Sequence, residues 1–237
     1  MRFAILVPSL LLLPLAGCGN APAPSRTAAV GTPAAPVVVK LFQSQGCSSC
    51  PPADAAVNAI AGEPGVLALS FAVTYWDKLG WTDTFGSRAW TARQWEYARA
   101  AGRPQVATPQ VIVNGGPAIN GGNRAELDAT LRREGPAHGG PAIGVAGGRL
   151  TLAGGRGPAA TAWLVRYDPR TIAVPIRAGE NGGRSLPHRN IVRSLVRLGE
   201  WTGRPASLAL PASVPGLRSA VLVQQGRGGP IVGARKL

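Results

Sequence analysis

The stretch Gln45-Gly46-Cys47-Ser48-Ser49-Cys50-Pro51-Pro52 constrains this chain most, because two cysteines stand where the hydrophobic pattern changes period. Before it, the apolar run Val37 to Phe42 reads as a buried strand; after it, Ala53 to Ala61 reads as a helix stopped by Gly62. A C-x-x-C at such a turn brings two sulfurs within bonding range at a helix N-terminus, where thiol–disulfide chemistry is favoured. Cys47, expected to be the more exposed, is the candidate attacking sulfur, and Cys50 the candidate resolving sulfur. A helix N-terminus favours a thiolate by about 0.3 to 2 kcal/mol, so a Cys47 thiol lowered moderately toward neutral is expected. Pro51 and Pro52 oppose this. They bias Cys50 and Pro51 away from helical angles, so the helix is expected to start as late as Pro52, leaving Cys47 about one turn outside the strongest field.

The N-terminus sets the compartment. Arg2, an apolar run from Phe3 to Leu15 and then Leu15-Ala16-Gly17-Cys18 resemble a bacterial lipoprotein signal, too short to span a bilayer. That resemblance implies a signal peptide over residues 1–17, lipidation of Cys18 and a membrane anchor; an ordinary secretory signal is the alternative, and both export the protein. The remaining two of the three cysteines form the C-x-x-C, and an exported protein can keep them as a disulfide. Residues up to Pro36 are almost wholly Ala, Pro, Gly, Thr and Ser and read as a flexible tether over 18–36, reaching roughly 50 Å at about 3 Å per residue.

Beyond the tether the elements alternate. Val66 to Val73 reads as a second strand and Ser87 to Ala101 as a helix with a Ser87 cap, stopping at Gly102. Val111 to Val113 and Ala118-Ile119 read as strands joined at Gly115-Gly116, and Asn123 as the cap of a helix through Arg133. With Thr108-Pro109 just before the third strand, this order resembles the thioredoxin fold, in which a cis-proline faces the two sulfurs. The run Thr108 to Gly115 with Gly121-Gly122 and Leu127 resembles the glutaredoxin pattern. The resemblance implies a catalytic place for Pro109 beside Cys47 and Cys50, and a substrate-binding place for Thr108.

A wider resemblance rests on several blocks: QGCSSCPPAD, YWDKLGW (Tyr75 to Trp81), TARQWEYA (Thr91 to Ala98), TPQVIVNG, and GENGGRSLPHRNIVR (Gly179 to Arg193). Together they resemble a family of exported bacterial thioredoxin-like proteins of unknown function, from about Val37 to Ala234. The fold class expected is α/β: a thioredoxin-like core, a mixed sheet flanked by helices over 37–140, with a C-terminal antiparallel β-rich domain over 141–237.

Several residues near the motif carry two readings each. Asp77 is either a proton acceptor for Cys50 or a cap of the turn that follows. Tyr75 and Trp76, with Trp81 and Phe85, form either an aromatic wall for a peptide or apolar substrate, or an insertion covering the core's edge. Arg93 and Gln94 read as structural ties to that insertion. Gly179 to Arg184 and His188 to Asn190 are dense in polar groups and read either as a turn bonded within itself, or as groups reaching the redox face with Glu180 paired to Arg184 or His188.

The C-terminal part reads as short strands: Ala142 to Val145, Arg149 to Leu152, Ala162 to Tyr167, Ile172 to Ile176, Ile191 to Leu198, Ser207 to Leu210, Ala220 to Gln224 and Ile231 to Ala234. The charge is concentrated there, since Pro36 to Gly140 holds nine basic and eight acidic residues and Pro141 to Leu237 fourteen and three. Export and the lack of any nucleic-acid module argue against nucleic acid as the partner and for an anionic envelope surface. No cofactor or metal is expected. Three function classes remain: thiol–disulfide exchange with envelope protein thiols or disulfides, Cu(I) binding by the two thiolates, or a non-catalytic module with a structural disulfide.

Overall fold

The central strand of the molecule is buried along its whole length, and both its faces are covered. A computed structural model describes residues 35–237. The expected signal peptide, Cys18 and most of the tether lie outside the described residues. β1 (Val37–Gln43) sends Val37, Val39 and Leu41 to one side, against Ala53, Val57 and Ile60 of α1 (Pro51–Ile60) and Leu127 of α3 (Arg124–Glu134). Val38 and Phe42 point to the other side, where they join Trp90 and Tyr97 of α2 (Arg88–Ala100). This alternation is the period-2 geometry of a strand with helices on both faces.

β2 (Val66–Ala72) runs parallel to β1, and β3 (Gln110–Val113) antiparallel to it, followed by the short edge strand β4 (Ala118–Ile119). The caps follow local chemistry. The Ser87 side chain accepts from Ala89 N, and the Asn123 side chain from Ala125 N and Glu126 N, satisfying orphan donors of α2 and α3. Asn114 (φ 47°) and Gly115 (φ 78°) turn the chain between β3 and β4, and the Asn114 side chain also accepts from Val38 N.

The start of α1 differs from expectation. Cys50 is itself helical (φ −76°, ψ −35°), its carbonyl accepts from Ala53 N and Asp54 N at 3.0 Å each, and the helix begins at Pro51 rather than Pro52. Proline's fixed φ suits the first helical position, where its missing N–H would have had no partner.

The second half continues the first half's sheet. Its strands are β5 (Ile143–Ala146), β6 (Arg149–Leu152), β7 (Ala160–Asp168), β8 (Ile172–Pro175), β9 (Ser185–His188), β10 (Ile191–Trp201), β11 (Ala206–Ala209), β12 (Arg218–Gln225) and β13 (Ile231–Lys236). The eight-stranded mixed sheet has the order β13-β12-β7-β10-β2-β1-β3-β4, with β5, β6 and β11 in a second sheet and β8–β9 a separate hairpin. Thus the change of charge near Pro141 falls between α3 and β5, yet the antiparallel strands beyond it extend the sheet through β10. That junction is parallel and brief, with Ile191 opposite Ser70. Asn190 (φ 52°) reinforces it, its side chain donating to Ala68 O and its carbonyl accepting from Ser70 N. Residues 35–237 lie within one compact unit. β9 runs between the two polar stretches and takes in His188, with Leu186 and His188 as its buried positions.

Candidate functional site

Cys47 and Cys50 are joined by a disulfide at the C-terminal end of β1, with Cα atoms 5.4 Å apart. Both residues are 0% exposed, so the expectation that Cys47 is the open sulfur is corrected. Two tight turns, Cys47 N to Ser44 O and Cys50 N to Cys47 O, direct Ser48 and Ser49 outward instead. Cys47 Sγ lies 3.3 Å from Ser49 Oγ and 3.7 Å from Thr108 O. The Thr108–Pro109 peptide is cis, the isomer the resemblance implies, and it stands beside the sulfurs.

The aromatic residues divide. Trp76 belongs to this wall, since its indole Nε1 donates to Thr108 Oγ1 at 2.7 Å. Tyr75, half-buried next to Trp76 with ring centroids 6.2 Å apart, packs against the main core, and burial raises its phenol above the usual range. Trp81 Nε1 donates to Gln45 Oε1, and Phe85 packs with Val174, Ile176 and Leu186. Asp77 opens a short 3-10 turn, Asp77–Leu79, and its carboxylate accepts from Asp83 N at 3.2 Å. The structure therefore ties it to the following loop. Gln94 donates to Ala107 O and Gln110 Oε1, bracing the segment that carries Thr108.

Gln45 organises the approach to the cysteines. It is fully buried; its backbone N donates to Asp83 Oδ2 at 2.7 Å, and its side chain bonds Thr84 and Trp81. Asp83 is buried, which pushes its carboxyl up, while the bonds from Gln45 N and Phe85 N pull it back.

Two ionisable residues stand beside the loop: Asp54, which the sequence reading did not single out, and His188, which entered it only as a partner for Glu180. Asp54 sits one helical turn after Cys50 on α1, so the two side chains share a face. It is 5% exposed, its Oδ2 has no hydrogen-bond partner among the described residues, and burial, then the nearby Asp83, raises its pKa well above its usual value. His188 of β9 approaches to 4.0 Å through Nδ1, with neither ring nitrogen hydrogen-bonded among the described residues, and burial lowers its pKa to about 4. Both directions favour the neutral form of each group over an ion pair. The available signal for Asp54 was its position four residues after Cys50. For His188 the signal was its place in a polar segment reaching the redox face, but its meeting with Asp54 had none, since β9 reaches α1 only through the tertiary fold.

The polar stretch after β8 reaches the cysteine loop. Glu180 Oε2 accepts from Ser48 N (3.0 Å) and Ser48 Oγ (2.7 Å), not from Arg184 or His188. Asn181, fully buried, donates through Nδ2 to Gln45 O and Cys47 O at 2.9 Å each, and Arg184 donates to its Oδ1. Among the described residues, no three His, Cys, Asp or Glu side chains converge to hold a metal ion.

The crystal structure of a protein from Agrobacterium tumefaciens is similar over 86% of this chain and 94% of its own, with 34% identity and a TM-score of 0.71. HBP35 of Porphyromonas gingivalis shares the fold at 13% identity and a TM-score of 0.54, over 86% of this chain and 75% of that one. No protein of curated function matches in sequence. The family described as "Protein of unknown function (DUF1223)" matches residues 38–224, most of the chain, and to that family this protein belongs.

Proposed function

We propose that this protein is a thioredoxin-like thiol–disulfide exchanger acting on proteins of the cell envelope through Cys47 and Cys50. The observation that carries the reading is the Cys47–Cys50 bond at a strand-to-helix turn with the cis Thr108–Pro109 peptide beside it and Thr108 O 3.7 Å from Cys47 Sγ. The order of strands and helices from β1 to α3 supports the thioredoxin-like assignment. The lipoprotein-like N-terminus supports export and a lipid anchor at Cys18.

In the oxidising direction, a substrate thiolate attacks Cys47 Sγ. A substrate–Cys47 bond forms, the Cys47–Cys50 bond breaks, and Cys50 leaves as a thiolate that takes a proton. A second substrate thiolate then attacks the substrate sulfur of the mixed disulfide. The substrate leaves as a disulfide, and its two electrons remain on the protein as two thiols. The reverse sequence reduces a substrate disulfide. In this scheme Asp54 takes the proton-handling place considered for Asp77, because it stands one turn from Cys50 and its burial holds a proton. Thr108, Pro109 and Trp76 form the wall along which a substrate docks, and Tyr75 supports Trp76 from behind.

One observation favours a second reading, an inert structural bridge: both cysteines are fully buried. Cys50→Ser separates the two. The variant is expected to accumulate a mixed disulfide on Cys47 with envelope proteins, isolated by non-reducing electrophoresis and mass spectrometry. Recovery of no adduct, together with a wild-type bond that resists glutathione below about −300 mV, would establish the structural bridge instead.

A further inference from the structure

We infer that Glu180 and Asn181, on the β8–β9 connection, are positioning residues that clamp the C-x-x-C loop and bias its equilibrium toward the disulfide. The inference deepens the exchange reading proposed above and rests on it.

The clamp takes hold at three positions of the loop. Asn181 bonds Gln45 O and Cys47 O, and Glu180 bonds Ser48 N and Oγ, so the residues before, at and after the attacking sulfur are pinned from 132 to 136 residues away. The orientation of Asn181 is unambiguous. Two carbonyls accept from it and a guanidinium donates to it, so Nδ2 must face the loop and Oδ1 must face Arg184. The connection that carries the pair is braced within itself. Gly182 N bonds Gly179 O, Gly183 N bonds Ile176 O, and Ile176 N bonds Arg184 O, with Gly179 (φ 74°) and Gly183 (φ 81°) in a conformation other residues adopt at a cost. A rigid connection transmits its position to the loop.

The electrostatic consequence follows from which donors are occupied. The disulfide is neutral, whereas the reduced form carries negative charge on Cys47 wherever that thiol ionises, as the attacking sulfur must. Ser48 N–H and its hydroxyl, the donors next along the chain, already serve the Glu180 carboxylate, leaving Ser49 Oγ at 3.3 Å. The bonds from Ser48 hold the Glu180 carboxyl below its usual range, so its charge is present at neutral pH. The other charged or titratable groups around the loop are Arg184 on the same connection, Asp77 and Asp83 on the loop that receives Gln45 N, and Asp54 and His188 at α1. Arg184 is engaged with Asn181 Oδ1. Glu180 is therefore the negative charge bonded to the neighbour of the attacking cysteine, and it disfavours the opened form.

Equilibration of the full exported chain with reduced and oxidised glutathione tests this. Two glutathione thiols reduce the Cys47–Cys50 bond and leave as glutathione disulfide, so the ratio reads the equilibrium directly. Glu180→Gln keeps the side chain's size and removes its charge. It is expected to shift the equilibrium three- to tenfold toward the dithiol, about 14 to 30 mV, and the shift is expected to shrink in 1 M salt, where screening acts within about 3 Å. Asn181→Ala is expected to raise the rate of glutathione attack on Cys47 without the salt dependence. If Asn181→Ala does not fold, the exposed position 180 still decides the matter. Equal poise for wild type and Glu180→Gln at low salt, with the wild type exchanging normally, overturns the clamp and leaves the exchange reading intact. A wild-type disulfide that never equilibrates, with no adduct on Cys50→Ser, overturns both.

Discussion

Two buried polar clusters on opposite sides of α1 and β1 handle charge differently. On the α2 side, Lys40 is fully buried; its Nζ donates to Tyr97 Oη at 2.6 Å, and Gln224 Nε2 donates to the same hydroxyl. Arg93 bonds Gln224 Oε1 and Glu96, and its guanidinium also lies 5.1 Å from the Trp163 ring. Burial, then the Arg93 charge, lowers the Lys40 pKa well below its usual value. The cluster joins β1, α2 and β12, and of these side chains only Arg93 Nε lacks a partner among the described residues. Beside the cysteine loop, by contrast, Asp54 Oδ2 and both His188 nitrogens have none. Satisfied buried networks hold elements in register; unsatisfied ones cost stability and call for a functional explanation. On the exchange reading proposed above, the difference gives the Lys40 cluster an architectural part and the Asp54–His188 pair a chemical one.

The largest effect that breaks or sharpens this contrast is in the pH dependence of stability. His188 has a folded pKa of about 4 against an unfolded value near 6.5, so below pH 6.5 the unfolded chain binds a proton that the folded chain refuses. Its burial therefore lowers stability progressively from pH 6.5 to 4, by up to about 3 kcal/mol. Asp54 acts with the opposite sign, since its raised folded pKa costs stability as pH rises above the unfolded carboxyl value. Comparison with His188→Gln isolates the histidine: the stability difference measured by urea unfolding should narrow or reverse from pH 7 to pH 4. A constant difference would place a charged histidine in the folded protein.

Next in size is Asp54→Asn. It removes a proton carrier and a buried acid together, so exchange with glutathione should slow about a hundredfold while stability holds or rises. Parallel loss of both would make Asp54 structural. The smallest effect is expected on the other side. Tyr97→Phe strands Lys40 Nζ and should cost about 1 to 3 kcal/mol in urea unfolding, with the glutathione equilibrium unchanged. A shifted redox equilibrium in that variant would erase the distinction between the two clusters.

Much of the first half was legible because its signals are local. The Ser87 and Asn123 caps, the Asn114-Gly115 turn and the apolar run of β1 each depend on residues within a few positions. The strand choice for Ile191 to Leu198 follows its β-branched content and matches β10. The start of α1 departs from the sequence expectation because proline's fitness for the first helical turn outweighs its effect on the preceding residue. Cys47 was expected to be open because C-x-x-C spacing says nothing about what covers it. The polar segment does reach the cysteine loop, one of its two readings, but Glu180's partner there is Ser48 rather than Arg184 or His188.

The opening C-x-x-C motif and the strand and helix on either side of it are therefore properties of the sequence itself, because neighbouring residues determine turns, caps and periodicity. The tertiary structure alone decided that β10 joins β2, that His188 meets Asp54, and that Asn181 and Glu180 close over the cysteine loop. These contacts join residues more than a hundred positions apart, and no local propensity encodes them. They arise when the second half of the chain adds its strands to the first half's sheet and the β8–β9 hairpin is carried against α1.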